Sequence, residues 1–144
     1  MNFAARNVLL SGATNDELVA KVCDFGMARS VESAHTGAEQ QTRSALGPIK
    51  WMAPEQLERL SYSKMSDVFA LGVLLFEIFA RSAPWAGVAA VNVMVAVVRG
   101  ERMEVPAAVP RGVRDIVAAC WRQTPGERPK SSAVAEQLAA LLDL

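Results

Sequence analysis

Asp24 is the residue whose type and position most clearly suggest a chemical role. It directly follows the short apolar run at positions 18–23. A carboxylate in a turn after a strand is a hard oxygen donor of the kind that suits Mg²⁺. The alternative is an ordinary turn aspartate, because a lone Asp-Phe-Gly string can arise by chance. The strings that accompany Asp24 therefore decide between the two interpretations.

Several short strings occur in a fixed order along the chain, and any one of them alone is weak evidence. They are Ala4-Ala5-Arg6-Asn7, Asp24-Phe25-Gly26, Trp51-Met52-Ala53-Pro54-Glu55, and Cys120-Trp121 with Arg128-Pro129. With Ser66-Asp67-Val68 at the start of a long apolar segment, their order resembles the C-terminal lobe of a eukaryotic protein kinase. The resemblance covers essentially the whole chain and is closest to the tyrosine-kinase and tyrosine-kinase-like branch.

This resemblance implies transfer of the γ-phosphoryl group of ATP to protein hydroxyls, with ATP and Mg²⁺ as cofactors. Phosphoryl transfer is mostly positioning and charge neutralisation around a metal–nucleotide complex. Asp24 resembles the family's ligand for the magnesium that bridges the phosphates, and Asn7 resembles the amide-oxygen ligand of the second metal. For Asn7 a loop cap is the alternative. The implied partner is a protein substrate or another partner protein, and the choice between tyrosine and serine or threonine acceptors stays open.

The same resemblance places Asn2 at the position of the family's catalytic aspartate, counting back from Asn7. An amide cannot take a proton at neutral pH as a carboxylate can, so a general base is lacking at that position. The sequence also contains no Gly-x-Gly string to cover phosphates. We therefore expect that the N-terminal lobe is missing, since no room precedes Met1, and that the isolated chain is inactive. A fragment of a full kinase is the favoured explanation, and a pseudokinase-like, non-catalytic interaction module is the alternative.

Other residues match the family's substrate and activation segment. Pro48 and Lys50 match the part that receives the substrate near its acceptor residue. Thr42 and Ser44 are hydroxyls in the activation loop that phosphorylation could use. Arg6 belongs to the string that resembles the catalytic loop, and we predict that it is also a residue of the substrate and activation segment.

Three charged residues resemble structural positions of the family. Glu55 and Arg128 resemble its buried ion pair, which ties the end of the activation segment to the last helices. Without the flanking Ala-Pro and Arg-Pro strings, two solvated surface charges would be the better interpretation. Asp67 resembles the aspartate that opens the central helix and anchors the catalytic-loop backbone. A simple helix N-terminal acid, favoured by the helix dipole, is the alternative, and both can hold.

The elements that must position these residues are mainly α-helical. The runs at 8–10 and 18–23 indicate two short strands near the N-terminus, joined by a turn-rich loop. Helices are predicted from Pro54, at 64–80 in the centre of the core, at 88–99, and on the apolar stripes 113–121 and 134–142. For 88–99 the alternating valines make a strand the alternative prediction, but the Arg-Gly at the end of this segment favours a helix. Ser131 and Ser132 are predicted to cap the last helix.

The predicted organisation is one partial kinase domain over 1–144. It comprises the end of the catalytic loop, an activation segment at 24–55 and a helical C-terminal lobe.

Composition excludes several classes of function. The 15 basic and 15 acidic residues cancel to a formal net charge of +0, which argues against nucleic-acid and anionic-membrane binders. The longest apolar stretch, at 68–80, is too short to span a bilayer, and no secretory signal is visible. The two cysteines lack metal-site spacing and indicate a reducing compartment, so a cytoplasmic location is expected.

Overall fold

The computed structural model describes residues 4–12, 14, 17–23 and 49–142 of the chain. The predictions for Asn2, Asp24, Thr42, Ser44 and Pro48 lie outside these residues. Within them the chain is mostly helical, with two short strands near its N-terminus, as the sequence predicts. No helix of the described part is long and apolar enough to cross a membrane.

The two strands form an antiparallel hairpin directly after a short 3₁₀ turn at Ala5–Asn7. Strand β1 is Val8–Ser11 and strand β2 is Val19–Val22, and the first residue of β1 pairs with the last residue of β2. Gly12 leaves β1 with φ 150°, and a Cβ there would lie 2.5 Å from the carbonyl oxygen of Glu17. The chain can turn this closely after β1 because residue 12 has no side chain.

The other regular elements of the described residues are helices, which loops connect. They are α1 Pro54–Arg59, α2 Lys64–Ala80, α3 Ala90–Val98, α4 Arg111–Cys120 and α5 Ser131–Leu142. Further 3₁₀ turns lie at Ile49–Trp51, before α1, and at Pro125–Glu127, before α5. The segment 88–99 therefore contains the predicted helix and not a strand, and the bounds of α2 agree with the prediction.

The start of α5 differs from the prediction. Ser131 is the first helical residue and not its cap, and the Val134 N–H donates to the Lys130 carbonyl at 3.1 Å. Lys130 therefore occupies the N-cap position, where its side chain offers no oxygen acceptor. Leu141, which belongs to the predicted apolar stripe, lies against Gly112 of α4 and is 47% exposed.

The core is centred on α2, and α4 packs directly against it. The buried residues of α2 include Val68, Phe69, Ala70, Val73, Leu74, Leu75 and Phe76. A Cβ on Gly72 would lie 2.7 Å from Cys120 Cβ and 2.9 Å from Trp121 Cδ1, so the two helices approach closely only at a glycine. Phe76 packs on the Trp121 ring beside this point, with ring centroids 6.0 Å apart.

The thiol of Cys120 belongs to this packing and not to a reactive site. Burial raises its pKa to about 11, although the positive charge of Arg128 opposes the shift. The thiol is therefore protonated near neutral pH, and a protonated, buried cysteine is a poor nucleophile. Cys120 and Cys23 are both free thiols.

Replacing Gly72 by alanine is expected to destabilise the fold by about 1–3 kcal/mol, because overpacking forces α2 and α4 apart. Gly126→Ala is the matched control, since a Cβ at Gly126 meets nothing within 4 Å. Urea denaturation followed by circular dichroism measures both variants. Equal midpoints for Gly72→Ala and Gly126→Ala would contradict the close α2–α4 contact.

Candidate functional site

Asn7 lies at the base of the hairpin, at the end of the 3₁₀ turn that precedes β1. Asn7 is buried, and its backbone N–H donates to the Ala4 carbonyl at 2.8 Å. Its own carbonyl accepts a hydrogen bond from the Cys23 N–H at 2.7 Å. Cys23 directly precedes Asp24 in the sequence. This bond therefore holds Cys23, the neighbour of one predicted magnesium ligand, against Asn7, the other predicted ligand.

A carboxylate that the sequence analysis did not select, Glu77, reaches the same 3₁₀ turn from α2. Its Oε2 atom accepts a hydrogen bond from the Ala5 N–H at 3.0 Å and a second from Trp51 Nε1 at 2.8 Å. The guanidinium of Arg6 lies over the Trp51 ring, 4.8 Å from its centroid. Three segments that are distant in the sequence, around residues 5–6, 51 and 77, therefore meet at one point.

Lys50, a predicted substrate-segment residue, is half-buried next to Trp51. Its ammonium group donates to the Trp85 carbonyl at 2.8 Å, and the Trp85 N–H in turn lies 3.1 Å from the Met103 sulfur. Trp85 has φ 50°, a left-handed conformation that is rare for an aromatic residue. The Lys50 contact therefore fixes a strained turn between α2 and α3 against the segment that precedes α1.

Glu55 and Arg128 form a buried, bidentate ion pair. Arg128 Nη1 donates to Glu55 Oε1 at 2.7 Å, and Nη2 donates to Oε2 at 2.8 Å. The side chain of Arg128 is 0% exposed and that of Glu55 is 15% exposed. Parallel N–H···O bonds of this kind are among the strongest that side chains make.

The remaining donors of Arg128 are also satisfied. Nη1 donates to the Met65 carbonyl at 2.9 Å, Nε to that of Arg122 at 2.9 Å, and Nη2 to that of Gln123 at 3.2 Å. All five N–H groups of the guanidinium therefore have acceptors, which is what a buried arginine requires. One side chain thereby joins the start of α1, the start of α2 and the loop between α4 and α5.

A second arginine stands beside this pair. The guanidinium carbons of Arg102 and Arg128 each lie 5.2 Å from the centroid of the Phe69 ring. Burial lowers the pKa of Arg102, the neighbouring charge of Arg128 lowers it further, and Glu55 opposes both effects. Arg102 donates to the Trp121 carbonyl at 2.9 Å, which attaches the segment after α3 to the end of α4.

Asp67 lies in the first turn of α2 and is half-buried. The N-cap of this helix is Ser63, whose Oγ accepts from the Met65 and Ser66 N–H groups at 3.2 and 3.3 Å. Asp67 also lines a cavity of about 170 Å³ together with Lys64 and Ser131. Its predicted contact with the catalytic-loop backbone stays a prediction.

Comparison with known proteins identifies the family. The family model described as protein tyrosine and serine/threonine kinase matches residues 1–138. The chain belongs to this kinase family. It is 37% identical over 98% of its length to the tyrosine-protein kinase sid-3 of Caenorhabditis elegans, and 38% identical over 95% to the megakaryocyte-associated tyrosine-protein kinase of Mus musculus. It is 37% identical over 95% of its length to the tyrosine-protein kinase receptor Tie-1 of Danio rerio.

The kinase relatives differ greatly in length. The chain spans 11% of the nematode kinase and 25% of the mouse kinase, but 70% of the zebrafish receptor sequence. The family match therefore applies to a helical part of a kinase domain with a short hairpin.

The structure joins some of the predicted residues and separates others. Arg6 and Asn7 lie at the base of the hairpin, whereas Glu55 meets Arg128 at the start of α1. Glu77 was not predicted, although it is the one charged residue in α2 after Asp67, and a lone carboxylate in an apolar helix is a usable signal. Arg102 lies in a polar loop whose pattern carries no such signal.

Replacing Arg128 by alanine is expected to cost about 3–5 kcal/mol of folding free energy, because it leaves the Glu55 carboxylate buried without its partner. Arg111→Ala is the control. The side chain of Arg111 is 88% exposed, and its ion pair with Asp115 is long, with an N–O distance of 3.8 Å. Loss of this side chain should therefore cost less than about 1 kcal/mol of folding free energy. Arg128→Lys should fall between the two, since lysine keeps the charge but not the bidentate geometry.

Chemical denaturation of the three variants measures these differences. Equal midpoints for Arg128→Ala and Arg111→Ala would show that the buried pair contributes no stability.

Proposed function

We propose that this chain is the catalytic part of a protein kinase that transfers the γ-phosphoryl group of ATP to hydroxyls of a protein. In this proposal residues 1–144 form a partial kinase domain, with the end of the catalytic loop, an activation segment at 24–55 and the helical C-terminal lobe. The observation that carries the proposal is the Cys23–Asn7 backbone bond at 2.7 Å. It supports a common site for Asn7 and Asp24, the two predicted metal-binding residues.

The donor chemistry of these two residues fits Mg²⁺. Magnesium in nucleotide sites is held by one or two protein oxygens, by phosphates and by water, and not by an all-protein cage. Asp24 and Asn7 would hold the metal, which would neutralise charge on the phosphates when Mg·ATP is bound.

The other predicted residues would have supporting roles. Glu55 and Arg128 would hold the end of the activation segment on the lobe, and Asp67 would support the catalytic loop. Lys50, through its contact with Trp85, would shape the segment that receives the protein substrate. Pro48, Thr42 and Ser44 remain proposed substrate and activation-segment residues.

We also propose a cytoplasmic location. The two free thiols support it, because secreted domains of this size commonly pair their cysteines.

A second candidate function is a non-catalytic interaction module. It is favoured by Asn2, which lies at the position of the catalytic aspartate and cannot act as a general base. A module of this kind would retain the helical lobe and bind a partner protein without transferring phosphate.

Nucleotide binding separates the two candidates. As an isolated polypeptide the 144-residue chain is expected to bind Mg·ATP weakly and to transfer no phosphate, because it contains no glycine-rich phosphate-binding string. Isothermal titration should show that this binding depends on Mg²⁺ and is lost in Asp24→Asn and in Asn7→Ala. Asn92→Ala is the matched control, since Asn92 is exposed on α3. Binding that survives both site substitutions would contradict the proposed metal site.

The transfer reaction itself is tested in the whole encoded protein, after the transcript upstream of the Met1 codon has been sequenced. If that protein has a phosphate-binding lobe and retains Asn2, radiolabelled ATP should give slow transfer to a protein acceptor. Asn2→Asp should then raise kcat by roughly 10²–10⁴-fold with little change in nucleotide affinity, as expected for restoring a general base. No transfer by either form would favour the interaction module.

A further inference from the structure

We propose that Glu77 is a positioning residue that fixes the turn carrying Asn7 relative to the segment carrying Trp51 and Lys50. The significance of this position for phosphoryl transfer rests on the proposed function. The positional link itself rests on the contacts of Glu77, Ala5 and Trp51.

The first step concerns the 3₁₀ turn at Ala5–Asn7. The residue before the turn, Ala4, occupies the N-cap position but has no side-chain acceptor, so no N-cap side chain accepts a hydrogen bond from the turn. The first N–H groups of a helical turn have no partner within the turn and need one from elsewhere. Glu77 supplies that partner, because its Oε2 accepts from the Ala5 N–H at 3.0 Å. A carboxylate is the favoured acceptor at this end of a helical turn.

The second step concerns the segment before α1. The same Oε2 atom accepts from Trp51 Nε1 at 2.8 Å, and the Trp51 ring is buried. One oxygen of Glu77 therefore holds two donors that are 46 residues apart in the sequence. The guanidinium of Arg6 on the Trp51 ring at 4.8 Å closes the same cluster from its other side.

The third step links this cluster to the two sides of the proposed reaction. Asn7, a predicted magnesium ligand, ends the turn that Glu77 caps, and Lys50 directly precedes Trp51. Glu77 belongs to α2, the most deeply packed helix of the described chain, so its carboxylate is held on a rigid element. Its two bonds therefore set the distance between the metal side and the substrate side of the site. Misplacement of reacting groups by about 1 Å can reduce a rate by roughly 10²-fold.

The test uses the ¹⁵N-labelled 144-residue chain and needs no phosphoryl transfer. Glu77→Met keeps the length of the side chain but removes both acceptors, whereas Glu77→Gln keeps one neutral oxygen. We expect exchange of the Ala5 amide to accelerate by roughly tenfold or more in Glu77→Met, with a clear shift of the Trp51 indole resonance. Glu77→Gln should recover part of both signals. Glu136→Met, the same change at an exposed position of α5, should alter neither.

A reciprocal variant distinguishes a specific link from general loosening. Trp51→Phe removes the indole donor but leaves the bond between Glu77 and the Ala5 N–H. The Ala5 amide should therefore stay protected in Trp51→Phe. Equal loss of Ala5 protection in Trp51→Phe and Glu77→Met would overturn the proposal, and so would unchanged Ala5 and Trp51 signals in Glu77→Met. Melting curves of all variants, recorded in the same buffer, ensure that each is compared below its unfolding transition.

The role in catalysis is tested separately in the whole encoded protein. Where the wild type transfers phosphate, Glu77→Met should lower kcat by roughly tenfold or more, and Glu77→Gln by less. An unchanged kcat in Glu77→Met would overturn a positioning role in the reaction. Absence of transfer in the wild type would count against the proposed function, while the Ala5 and Trp51 signals would still decide the positional link.

Discussion

The buried ion pair of Arg128 with Glu55 is the interaction on which the helical lobe depends. A guanidinium that is removed from water is tolerated only when all its N–H groups find acceptors, and Arg128 satisfies this condition with one carboxylate and three backbone carbonyls. These acceptors belong to separate segments of the chain. The position of Arg128 therefore constrains α1, α2 and the loop before α5 at once, and none of these segments can shift without leaving a buried charge unpaired.

Helix α2 is the common reference for this pair and for the cluster at Glu77. Arg128 bonds the Met65 carbonyl near the start of α2 and lies over Phe69 one turn later, whereas Glu77 projects from its last turns. The packing of α2 against α4 is close enough to exclude a Cβ at Gly72. A rigid central helix thus carries one polar contact near each end. One contact reaches Glu55 at the start of α1, and the other reaches Ala5 in the 3₁₀ turn before β1.

The sequence predicts the elements of this fold better than it predicts their connections. The hydrophobic pattern of 64–80 identifies α2, because that signal is local in the sequence. The ion pair of Glu55 with Arg128 joins distant residues and was predicted only from the resemblance to the kinase family. The contact of Glu77 with Ala5 and Trp51 depends on which face of α2 meets the hairpin, and no local pattern carries that information. The prediction that Ser131 and Ser132 cap α5 was wrong for a related reason. A serine at a helix start satisfies the pattern, but the chain geometry at Lys130 decides where the helix begins.

The two parts of the described chain depend on different forces, which explains how the site can change without loss of the fold. The helical lobe is held by buried apolar side chains around α2, whereas the hairpin leaves Leu9, Leu10 and Val19 more than half exposed. Segments with few buried apolar contacts open at lower free energy than the core to which they are attached. The bond between Asn7 and Cys23 closes the base of the hairpin, and the bond between Ala5 and Glu77 attaches that base to α2. Substitutions in these bonds should alter the geometry around Asn7 before they alter global stability, whereas substitutions around Gly72 or Arg128 act on the whole lobe.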